Sequence, residues 1–456
     1  MSLRTKWYIA NQFNEVTHTT LNPHGPGCIR IHLVPAKNAS KEPSVVVLNG
    51  MDIVPINPSW AILLNCLIDE INHYNGHQIT EEQMRSIVTN ALHTARKVFP
   101  KTAIETLKDD LKTIMQTLQD VAYGKTPSVD IGYMSIGEYA PFMKGPHRMD
   151  FMVTGMKKDN HWHCNQKCLH CYAAGQCEAE VPEMPTEDCK RVIHKLRQIG
   201  IPQITFTGGE PTMRDDLVEL VKTAYWFVTR LNTNGVRLSQ ELCRKLHDAD
   251  LDSVQITFYS DNEETHNTLV GAQNYHKTVN GIKNALDVGL AVSINTPLCT
   301  INRDYVSTLK FLHKLGVEYV SCSGLILTGN ARNYNSKITQ LPNDELYGIL
   351  KEAVEYCNAN QMEISFTSPG WIEDEKIRQL GLTVPSCGAC LSNMAIAPNG
   401  DIVPCQSWLS DKPLGNILVD KWSKVWNSSE CEQIRNYSAG MYGKCPLRNK
   451  NKTEGE

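Results

Sequence analysis

The chain has 456 residues, of which 41% are hydrophobic and 21% are charged, and its formal net charge is -4. This balance is ordinary for a soluble globular protein of about three domains, and the slight negative charge argues against a nucleic-acid partner. No segment approaches the roughly 20 apolar residues of a membrane helix, and the start lacks the apolar core of a signal peptide. We therefore expect a cytoplasmic protein without a membrane partner, whose sixteen cysteines include metal ligands rather than disulfides.

Residues 1–145 are predicted to form a winged-helix-like α+β domain. Strand-like runs lie at Lys6–Ala10, Ile29–Val34, Val45–Leu48 and Met51–Pro55. Asn49-Gly50, between the last two runs, is a strong hairpin signal. Helical patterns follow at Ser59–Tyr74, from Thr80 onward with Gln83 completing a capping box, and at Thr102–Val121.

Residues 146–335 alternate strand and helix patterns, which predicts parallel βα units. The strand candidates are Met149–Val153, Gln203–Thr207, Phe227–Asn232, Ser253–Tyr259, Ala291–Asn295 and Tyr319–Ser323. Six units are too few for a closed eightfold barrel, so the fold class is α/β with an open, partial (β/α)6 barrel. Its site is expected at the carboxyl ends of the strands.

Residues 336–456 are predicted to form a cysteine-rich C-terminal extension. A helix is expected at Asn343–Asn358, and a hairpin joins Ser392–Ile396 to Asp401–Val403 through Pro398-Asn399-Gly400. The polar end, Asn449–Glu456, is expected to fray.

A cysteine triplet follows the first barrel strand, with Cys164, Cys168 and Cys171 in the spacing C-x3-C-x2-C. Thiolates are the standard ligands of iron–sulfur clusters. Three ligands for a four-iron cluster leave one iron open to a substrate or cofactor. Zinc is the alternative, because His161, His163 and His170 are close enough in sequence to complete a four-ligand site.

A second motif, Gly208-Gly209-Glu210, lies where the second barrel strand should end. The two glycines let the backbone approach a ligand closely, and the carboxylate can accept hydrogen bonds from an ammonium group. By itself the motif is equally compatible with a tight turn that ends in a helix-capping acid.

Together, the triplet and Gly208-Gly209-Glu210 resemble the two motifs of the radical S-adenosylmethionine (SAM) superfamily, over about residues 149–330. The resemblance implies a 4Fe-4S cluster on Cys164, Cys168 and Cys171 and a SAM molecule whose methionine amino group meets the second motif. It also implies reductive cleavage of SAM to a 5′-deoxyadenosyl radical. Further candidate cofactor-binding residues are Tyr172, Asn234, Ser260 and Asn295, for which ordinary turn and cap roles remain open.

The tail resembles the auxiliary-cluster extension called SPASM, or its shorter form Twitch. The resemblance rests on Cys387, Gly400 and Cys405, with four residues between the last two. The full extension carries a denser later run of cysteines than Cys431 and Cys445 provide here, so we expect one auxiliary iron–sulfur cluster on Cys387, Cys405 and Cys445, with Cys390 as candidate fourth ligand. A single zinc on these four cysteines is the alternative, and Cys431 is interpreted as a packing residue.

Members of the family with this tail mostly modify peptides, and many carry an N-terminal domain that binds a precursor's leader as an added strand. The resemblance therefore implies a maturase of ribosomal peptides, with a precursor peptide and a reductant such as flavodoxin or ferredoxin as partners. The bond formed, whether thioether or carbon–carbon crosslink or an epimerised centre, stays open, as do the catalytic residues. Two alternatives remain: an enzyme of small-molecule cofactor synthesis, and a non-catalytic iron–sulfur electron carrier or peptide-binding protein.

Overall fold

The computed structural model describes residues 2–22, 27–36, 42–74, 79–155, 163–332, 339–440 and 444–447. Its contacts divide the chain into two compact units. The first comprises 1–147, 194–203 and 226–228, and the second comprises 148–193, 204–225 and 229–456. The predicted division at residues 145 and 335 stays a prediction. His161 and the tail from 448 onward lie outside the described residues.

The first unit contains a four-stranded antiparallel sheet in the order β1-β2-β3-β4. The strands are β1 Thr17–Leu21, β2 Ile29–Val34, β3 Ser44–Leu48 and β4 Asp52–Ile56. The helices are α1 Leu3–Asn11, α2 Pro58–Asn72, α3 Glu81–Val98, α4 Ile104–Ala122 and the short α5 Ile136–Tyr139. The strands predicted at Ile29–Val34, Val45–Leu48 and Met51–Pro55 appear as β2, β3 and β4, and the three predicted helices follow as α2, α3 and α4, whereas β1 was not predicted.

The Asn49-Gly50 turn and the Thr80–Gln83 capping box, both predicted from the sequence, are present in the first unit. Asn49 and Gly50 adopt φ angles of 47° and 68°, so the β3–β4 turn has the left-handed backbone that favours an Asn-Gly pair. Thr80 accepts a hydrogen bond from the Gln83 backbone, and the Gln83 side chain accepts one from the Thr80 backbone. This capping box satisfies two donors at the start of α3.

The strand predicted at Lys6–Ala10 is wrong, because these residues belong to α1. The Ser2 side chain caps this helix by accepting a hydrogen bond from the Thr5 backbone. Thr5, Tyr8 and Ile9 are buried, and their spacing of three and four residues places them on one helical face. A strand would bury every second residue of Lys6–Ala10, whereas the residues that are buried here have helical spacing.

The second unit contains a ten-stranded sheet in the order β11-β10-β9-β8-β7-β6-β5-β12-β13-β14. The strands are β5 Arg148–Thr154, β6 Gln203–Gly208, β7 Val228–Thr233, β8 Ser253–Thr257, β9 Ala291–Pro297, β10 Tyr319–Ser323, β11 Glu363–Phe366, β12 Asn393–Ile396, β13 Asp401–Val403 and β14 Gly415–Asn416. The helices are α6 Thr186–Ile199, α7 Leu217–Thr223, α8 Gln240–Asp248, α9 Glu263–Val270, α10 Tyr275–Asp287, α11 Tyr305–Lys314, α12 Asn343–Ala359, α13 Asp374–Gln379, α14 Trp422–Trp426 and α15 Ser429–Ala439.

The predicted partial barrel is confirmed, since all six predicted strands appear as β5 to β10. The sequence analysis missed β11, which adds a further parallel strand beside β10. The predicted tail hairpin is present as β12 and β13, and β12 continues the barrel sheet by pairing in parallel with β5. Among the described helices, none is long and apolar enough to cross a membrane.

Candidate active site

A cavity of about 780 Å³ lies within the second unit. Its lining includes the cysteine triplet, the Gly208-Gly209-Glu210 motif and side chains from the lumen-facing positions of the strands. It also includes three tail cysteines: Cys387, Cys405 and Cys445. Two groups of thiols distant in sequence therefore border one cavity.

Backbone hydrogen bonds hold the loop that carries the triplet. The Lys167 and Leu169 amides donate to the carbonyls of Val270 and Leu269 at the end of α9, both at 2.9 Å. On another side, the Asn330 amide donates to the Cys171 carbonyl at 2.9 Å. These bonds satisfy an irregular loop that would otherwise leave polar backbone unpaired.

Two glycines let this loop approach its neighbours. Gly271 and Gly329 have positive φ angles of 62° and 57°. A Cβ on Gly271 would lie 2.5 Å from the Lys167 carbonyl oxygen, and one on Gly329 would lie 2.4 Å from the Cys171 carbonyl oxygen. Both positions therefore require glycine for conformation and for space.

The triplet fits an iron–sulfur cluster by the chemistry of its donors. Burial, together with the neighbouring Cys171 and Cys164, raises the pKa of the Cys168 thiol, and burial raises that of Cys171. Such thiols need a bound cation before they ionise. The Gln166 side-chain nitrogen is buried at the same cavity and has no hydrogen-bond partner among the described residues.

The two nearby histidines that lie in the described residues have other partners. The His163 ring contacts the Glu183 carboxylate, and His170 Nε2 is 2.7 Å from the Thr339 hydroxyl. Within the described ranges, no three His, Cys, Asp or Glu side chains are arranged to hold a single metal ion. The donor set present at the triplet is therefore the three thiols.

The glycines of the second motif line the cavity and also allow close contact between backbone segments, while their contact with a cofactor stays a prediction. A Cβ on Gly208 would lie 1.7 Å from the Thr154 carbonyl oxygen, and one on Gly209 would lie 2.8 Å from the carbonyl oxygens of Gly155 and His163. The Gly209 amide donates to Thr154, and the Glu210 amide donates to His163 at 3.2 Å. The motif thus fixes the end of β6 against the segment that leads into the triplet.

The Glu210 carboxylate is buried and accepts four hydrogen bonds from the chain. Oε1 accepts from the Thr212 amide at 3.0 Å, from the Thr212 hydroxyl at 2.6 Å and from the Thr233 hydroxyl at 2.6 Å. Oε2 accepts from the Asn234 amide at 2.8 Å. Burial raises the pKa of Glu210. A carboxylate has about four acceptor positions, two on each oxygen, so only Oε2 has room for an ammonium group.

The other predicted cofactor residues differ in their placement. Tyr172, Asn234 and Asn295 line the cavity, and Asn234 Nδ2 donates to Asn165 Oδ1 in the triplet loop at 2.6 Å. Ser260 is not among the lining residues. Its hydroxyl accepts a hydrogen bond from the Asn262 amide at 3.1 Å, next to the start of α9. Ser260 therefore has the turn role that the sequence left open, since the residue that caps α9 is Asn262, and its contact with a cofactor stays a prediction.

The tail thiols form the second group at the cavity. Cys387, Cys405 and Cys445 pack in one cluster with Ala389, Trp408 and Leu447. Burial raises the pKa of the Cys405 thiol, and the neighbouring Cys445 and Cys387 raise it further. Three of the four predicted auxiliary ligands therefore meet in one place.

Cys390, the candidate fourth ligand, is not among the residues of that cluster, although its thiol is close enough to Cys405 for the two to interact electrostatically. It has a positive φ of 56°, and its amide donates to the Pro404 carbonyl at 3.2 Å. Its thiol forms a hydrogen bond with Cys431 on α15, which lowers the pKa of Cys431. Arg435 Nη1 also lies 3.5 Å from the Cys431 sulfur. The structure thus pairs Cys390 with the residue that the sequence analysis assigned to packing.

Arg148 and Arg230 line the cavity and were missed from the sequence. The signal was present in β7, where Arg230 and Asn232 alternate with buried residues. Strands covered on both faces of a parallel sheet usually carry nearly continuous apolar runs. Polar residues at every second position of such a strand therefore indicate a wet lumen.

Comparisons with known proteins agree with this arrangement. The sequence profile of the radical SAM superfamily matches residues 163–312, and that of the SPASM iron–sulfur cluster-binding domain matches residues 387–448. The AdoMet-dependent heme synthase of Oleidesulfovibrio alaskensis is 25% identical over 59% of this chain and 72% of its own length. Mycofactocin maturase MftC of Mycobacterium tuberculosis is 28% identical over 62% and 73%.

Among solved structures, SuiB of Streptococcus suis bound to its precursor peptide SuiA has a TM-score of 0.60 at 14% identity. The match covers 89% of this chain and 93% of SuiB, and at this identity it concerns the fold alone. The predicted cofactors, a 4Fe-4S cluster, SAM and an auxiliary cluster, are confirmed by the two domain matches. The chain therefore contains a radical SAM domain at residues 163–312 and, after its barrel, a SPASM iron–sulfur cluster-binding domain at residues 387–448.

Proposed function

We propose that the enzyme modifies a peptide by radical chemistry inside the barrel cavity. This proposal rests on the cavity of about 780 Å³, which is lined by two separate sets of three cysteines. One set is Cys164, Cys168 and Cys171, and the other is Cys387, Cys405 and Cys445. A substrate between the two groups is within reach of both. Mycofactocin maturase among the relatives and the peptide-bound SuiB fold support a peptide as that substrate.

In this proposal Cys164, Cys168 and Cys171 hold the cluster that binds SAM, and Cys387, Cys405 and Cys445 hold an auxiliary cluster. When bound, the first cluster and SAM supply a 5′-deoxyadenosyl radical that removes a hydrogen atom from the substrate. Asn234 positions the triplet loop through Asn165. Glu210 fixes the ends of β6 and β7 and offers Oε2 to the SAM ammonium group.

The chain supplies the surroundings that such chemistry needs. Tyr172 is partly buried and interacts electrostatically with Cys171 and Cys405, and its hydroxyl lies 3.5 Å from Gln406 Oε1. Burial raises the pKa of Tyr172, so its hydroxyl stays protonated and can donate a hydrogen bond to a bound substrate. The bond that is formed on the peptide is left open in this proposal.

We assign leader recognition to the first unit. Its antiparallel sheet has β1 and β4 as edge strands, and an edge strand can accept an extended peptide as an added strand. The carbonyl of Ile53 in β4 already accepts the Met134 amide at 2.9 Å, and Pro55 lacks an amide hydrogen. In β1 the His18 carbonyl accepts a hydrogen bond from the Asn72 side chain at 2.9 Å, but every residue of β1 has an amide hydrogen, and the β1 edge is the proposed leader site. A flavodoxin or ferredoxin is the proposed electron donor.

Small-molecule synthesis is the second candidate, because a heme synthase is also among the relatives. A probable GTP 3′,8-cyclase of Saccharolobus solfataricus is 34% identical, over 34% of this chain and 52% of its own length. A substrate of that kind would occupy the same cavity without the leader.

The test uses deuterium transfer to separate the two candidates. The reconstituted enzyme is incubated anaerobically with unlabelled SAM, dithionite and either the peptide fraction or the small-molecule fraction, freed of cellular SAM, of cells grown in D2O. Deuterium in 5′-deoxyadenosine, measured by mass spectrometry, is expected with the peptide fraction only. Deuterium from the small-molecule fraction alone would overturn the peptide proposal. A variant with Cys164, Cys168 and Cys171 changed to Ala, which should form no 5′-deoxyadenosine, is the control.

A further inference from the structure

Two arginines project into the barrel lumen away from the SAM-binding end. Arg148 is the first residue of β5, and Arg230 is the third residue of β7. Both line the cavity. Arg230 precedes Thr233, which bonds Glu210, by three residues, or about 10 Å of strand. The arginines therefore serve a deeper part of the cavity than the strand ends.

The charges around this pair do not balance. Arg148 binds the buried Asp150 carboxylate through two hydrogen bonds, Nε to Oδ1 at 2.8 Å and a guanidinium nitrogen to Oδ2 at 3.4 Å. Arg230 has no hydrogen bond or ion pair with any of the described residues. Since guanidinium groups stay protonated in proteins, two cations face one carboxylate. One positive charge is left over at the cavity wall.

Partial burial makes this surplus charge costly. Desolvation and the neighbouring Arg148 lower the pKa of Arg230, and the Asp150 carboxylate, which is hydrogen-bonded to Arg148, raises it only in part. A buried cation is normally paired with an anion. The surplus charge therefore indicates a position that a bound anion completes.

Unpaired polar atoms lie in the same part of the lumen. Asn232 Oδ1, two residues along β7 from Arg230, has no hydrogen-bond partner in the described part of the chain. The same holds for Thr205 Oγ1 on β6, whose residue is 1% exposed and also lines the cavity. Buried polar groups without partners normally mark the place of a ligand or an ordered water.

We propose that Arg230, with Arg148 beside it, binds a carboxylate of the substrate peptide inside the barrel. This inference rests on the peptide function proposed above and specifies its substrate: the bound segment carries an acidic side chain or ends in the chain's terminal carboxylate. A guanidinium can bind either carboxylate through two parallel hydrogen bonds. Arg230 is then a specificity-determining residue, since an uncharged amide in the same place leaves the cation unpaired.

The test measures binding of three capped tripeptides to the reconstituted enzyme with SAM, by saturation-transfer NMR. Acetyl-Gly-Glu-Gly-amide carries a side-chain carboxylate, acetyl-Gly-Gln-Gly with a free C-terminus carries a terminal one, and acetyl-Gly-Gln-Gly-amide carries neither. We expect at least one carboxylate peptide to bind tenfold or more tightly than the uncharged peptide. The peptide that binds identifies the source of the carboxylate.

Variants of Arg230 then assign the preference. Arg230→Gln should bind all three peptides equally weakly, and Arg230→Lys should retain part of the preference. Arg244→Gln, which makes the same charge change at an exposed site on α8, is the matched control and should behave as wild type. Arg230→Glu should instead prefer acetyl-Gly-Lys-Gly-amide, a gain that an unfolded protein would not show.

Equal binding of the three peptides by wild type, or an unchanged preference in Arg230→Gln, would overturn the inference. Formation of 5′-deoxyadenosine by the wild type is measured in the same samples after dithionite is added. If it forms while the carboxylate preference is absent, only the role of Arg230 fails. If none forms in protein that holds its clusters, the proposed function itself fails.

Discussion

The Glu210 carboxylate accepts a hydrogen bond of 2.6 Å from the Thr233 hydroxyl, which joins the turn after β6 to the end of β7. Asn234, the next residue, donates its amide to the same carboxylate and its side chain to the triplet loop. Glu210 therefore supports the cluster loop through β7, besides offering one acceptor position to a ligand. The Gly208-Gly209-Glu210 motif, which resembles a cofactor-binding motif, therefore also joins β6 to β7.

Replacement of Glu210 by Gln is expected to weaken both the fold and SAM cleavage. An amide has one acceptor oxygen, so at least one of the buried donors at Thr212, Thr233 and Asn234 loses its partner. Each such loss costs about 1–3 kcal/mol. Thermal unfolding and the rate of 5′-deoxyadenosine formation measure the two effects. Glu241→Gln, at an exposed ion pair on α8, is the control, and equal behaviour of the two variants would contradict this role of Glu210.

Replacement of Gly271 by Ala is expected to reduce occupancy of the first cluster. The added Cβ would meet the Lys167 carbonyl oxygen at 2.5 Å and push the triplet loop outward. Gly381→Ala is a matched control, because Gly381 also has a positive φ, of 74°, but has nothing within 4 Å of its Cβ position. The left-handed backbone destabilises both variants by a similar amount, about 1–2 kcal/mol.

Iron content and electron paramagnetic resonance of the reduced proteins check this expectation. Gly271→Ala should lose about four irons per chain and the signal of the SAM-binding cluster, whereas Gly381→Ala should retain both. Equal losses in the two variants would mean that backbone strain alone, and not the contact with Lys167, controls the loop.

The sequence predicted the barrel and both cysteine groups because these depend on local patterns. The periodicity of hydrophobic residues is enough to predict β5 to β10. The spacings of Cys164 to Cys171 and of Cys387 to Cys405 can be recognised without knowing the tertiary structure. The partner of Cys390 could not be predicted, because it depends on the packing of α15 beside the β12 turn. The pair of Arg148 and Arg230 likewise arises only when β5 and β7 curve around one lumen.

Removal of single tail thiols should separate cluster ligands from packing cysteines. In the background with Cys164, Cys168 and Cys171 changed to Ala, only an auxiliary cluster can bind iron. Cys405→Ala in this background should lose about four irons per chain, because Cys405 lies with Cys387 and Cys445 at the cavity. Cys390→Ala should keep the iron, because its thiol faces Cys431. Loss of iron in Cys390→Ala would make that residue the fourth ligand.

The first unit contains three buried histidines that make its stability depend on pH. Burial, and then the Arg197 cation, lower the pKa of His18 to about 3. Burial lowers the pKa of His147 to about 4 and holds that of His32 well below its usual range. Both ring nitrogens of His32 lack partners among the described residues, so this ring is neutral and has nowhere to place a second proton favourably.

The sign of the effect follows from these lowered values. Above the unfolded pKa of about 6.5 the histidines are neutral in both states and cost nothing. As the pH falls from 6.5 toward 4, the unfolded chain takes up protons that the folded unit refuses, so stability is lost. Each histidine contributes up to about 1.4 kcal/mol per pH unit in this window.

Hydrogen exchange of the β2 amides, followed by mass spectrometry between pH 4.5 and 8 and corrected for intrinsic rates, reports the stability of this unit directly. Protection in wild type is expected to fall steeply below pH 6.5. His32→Leu should flatten this dependence and keep or raise protection at pH 8, because it removes two unpaired buried nitrogens. His73→Leu changes a histidine whose side chain is 73% exposed and should follow wild type. A slope in His32→Leu as steep as that of wild type would exclude His32 as a source of the acid sensitivity.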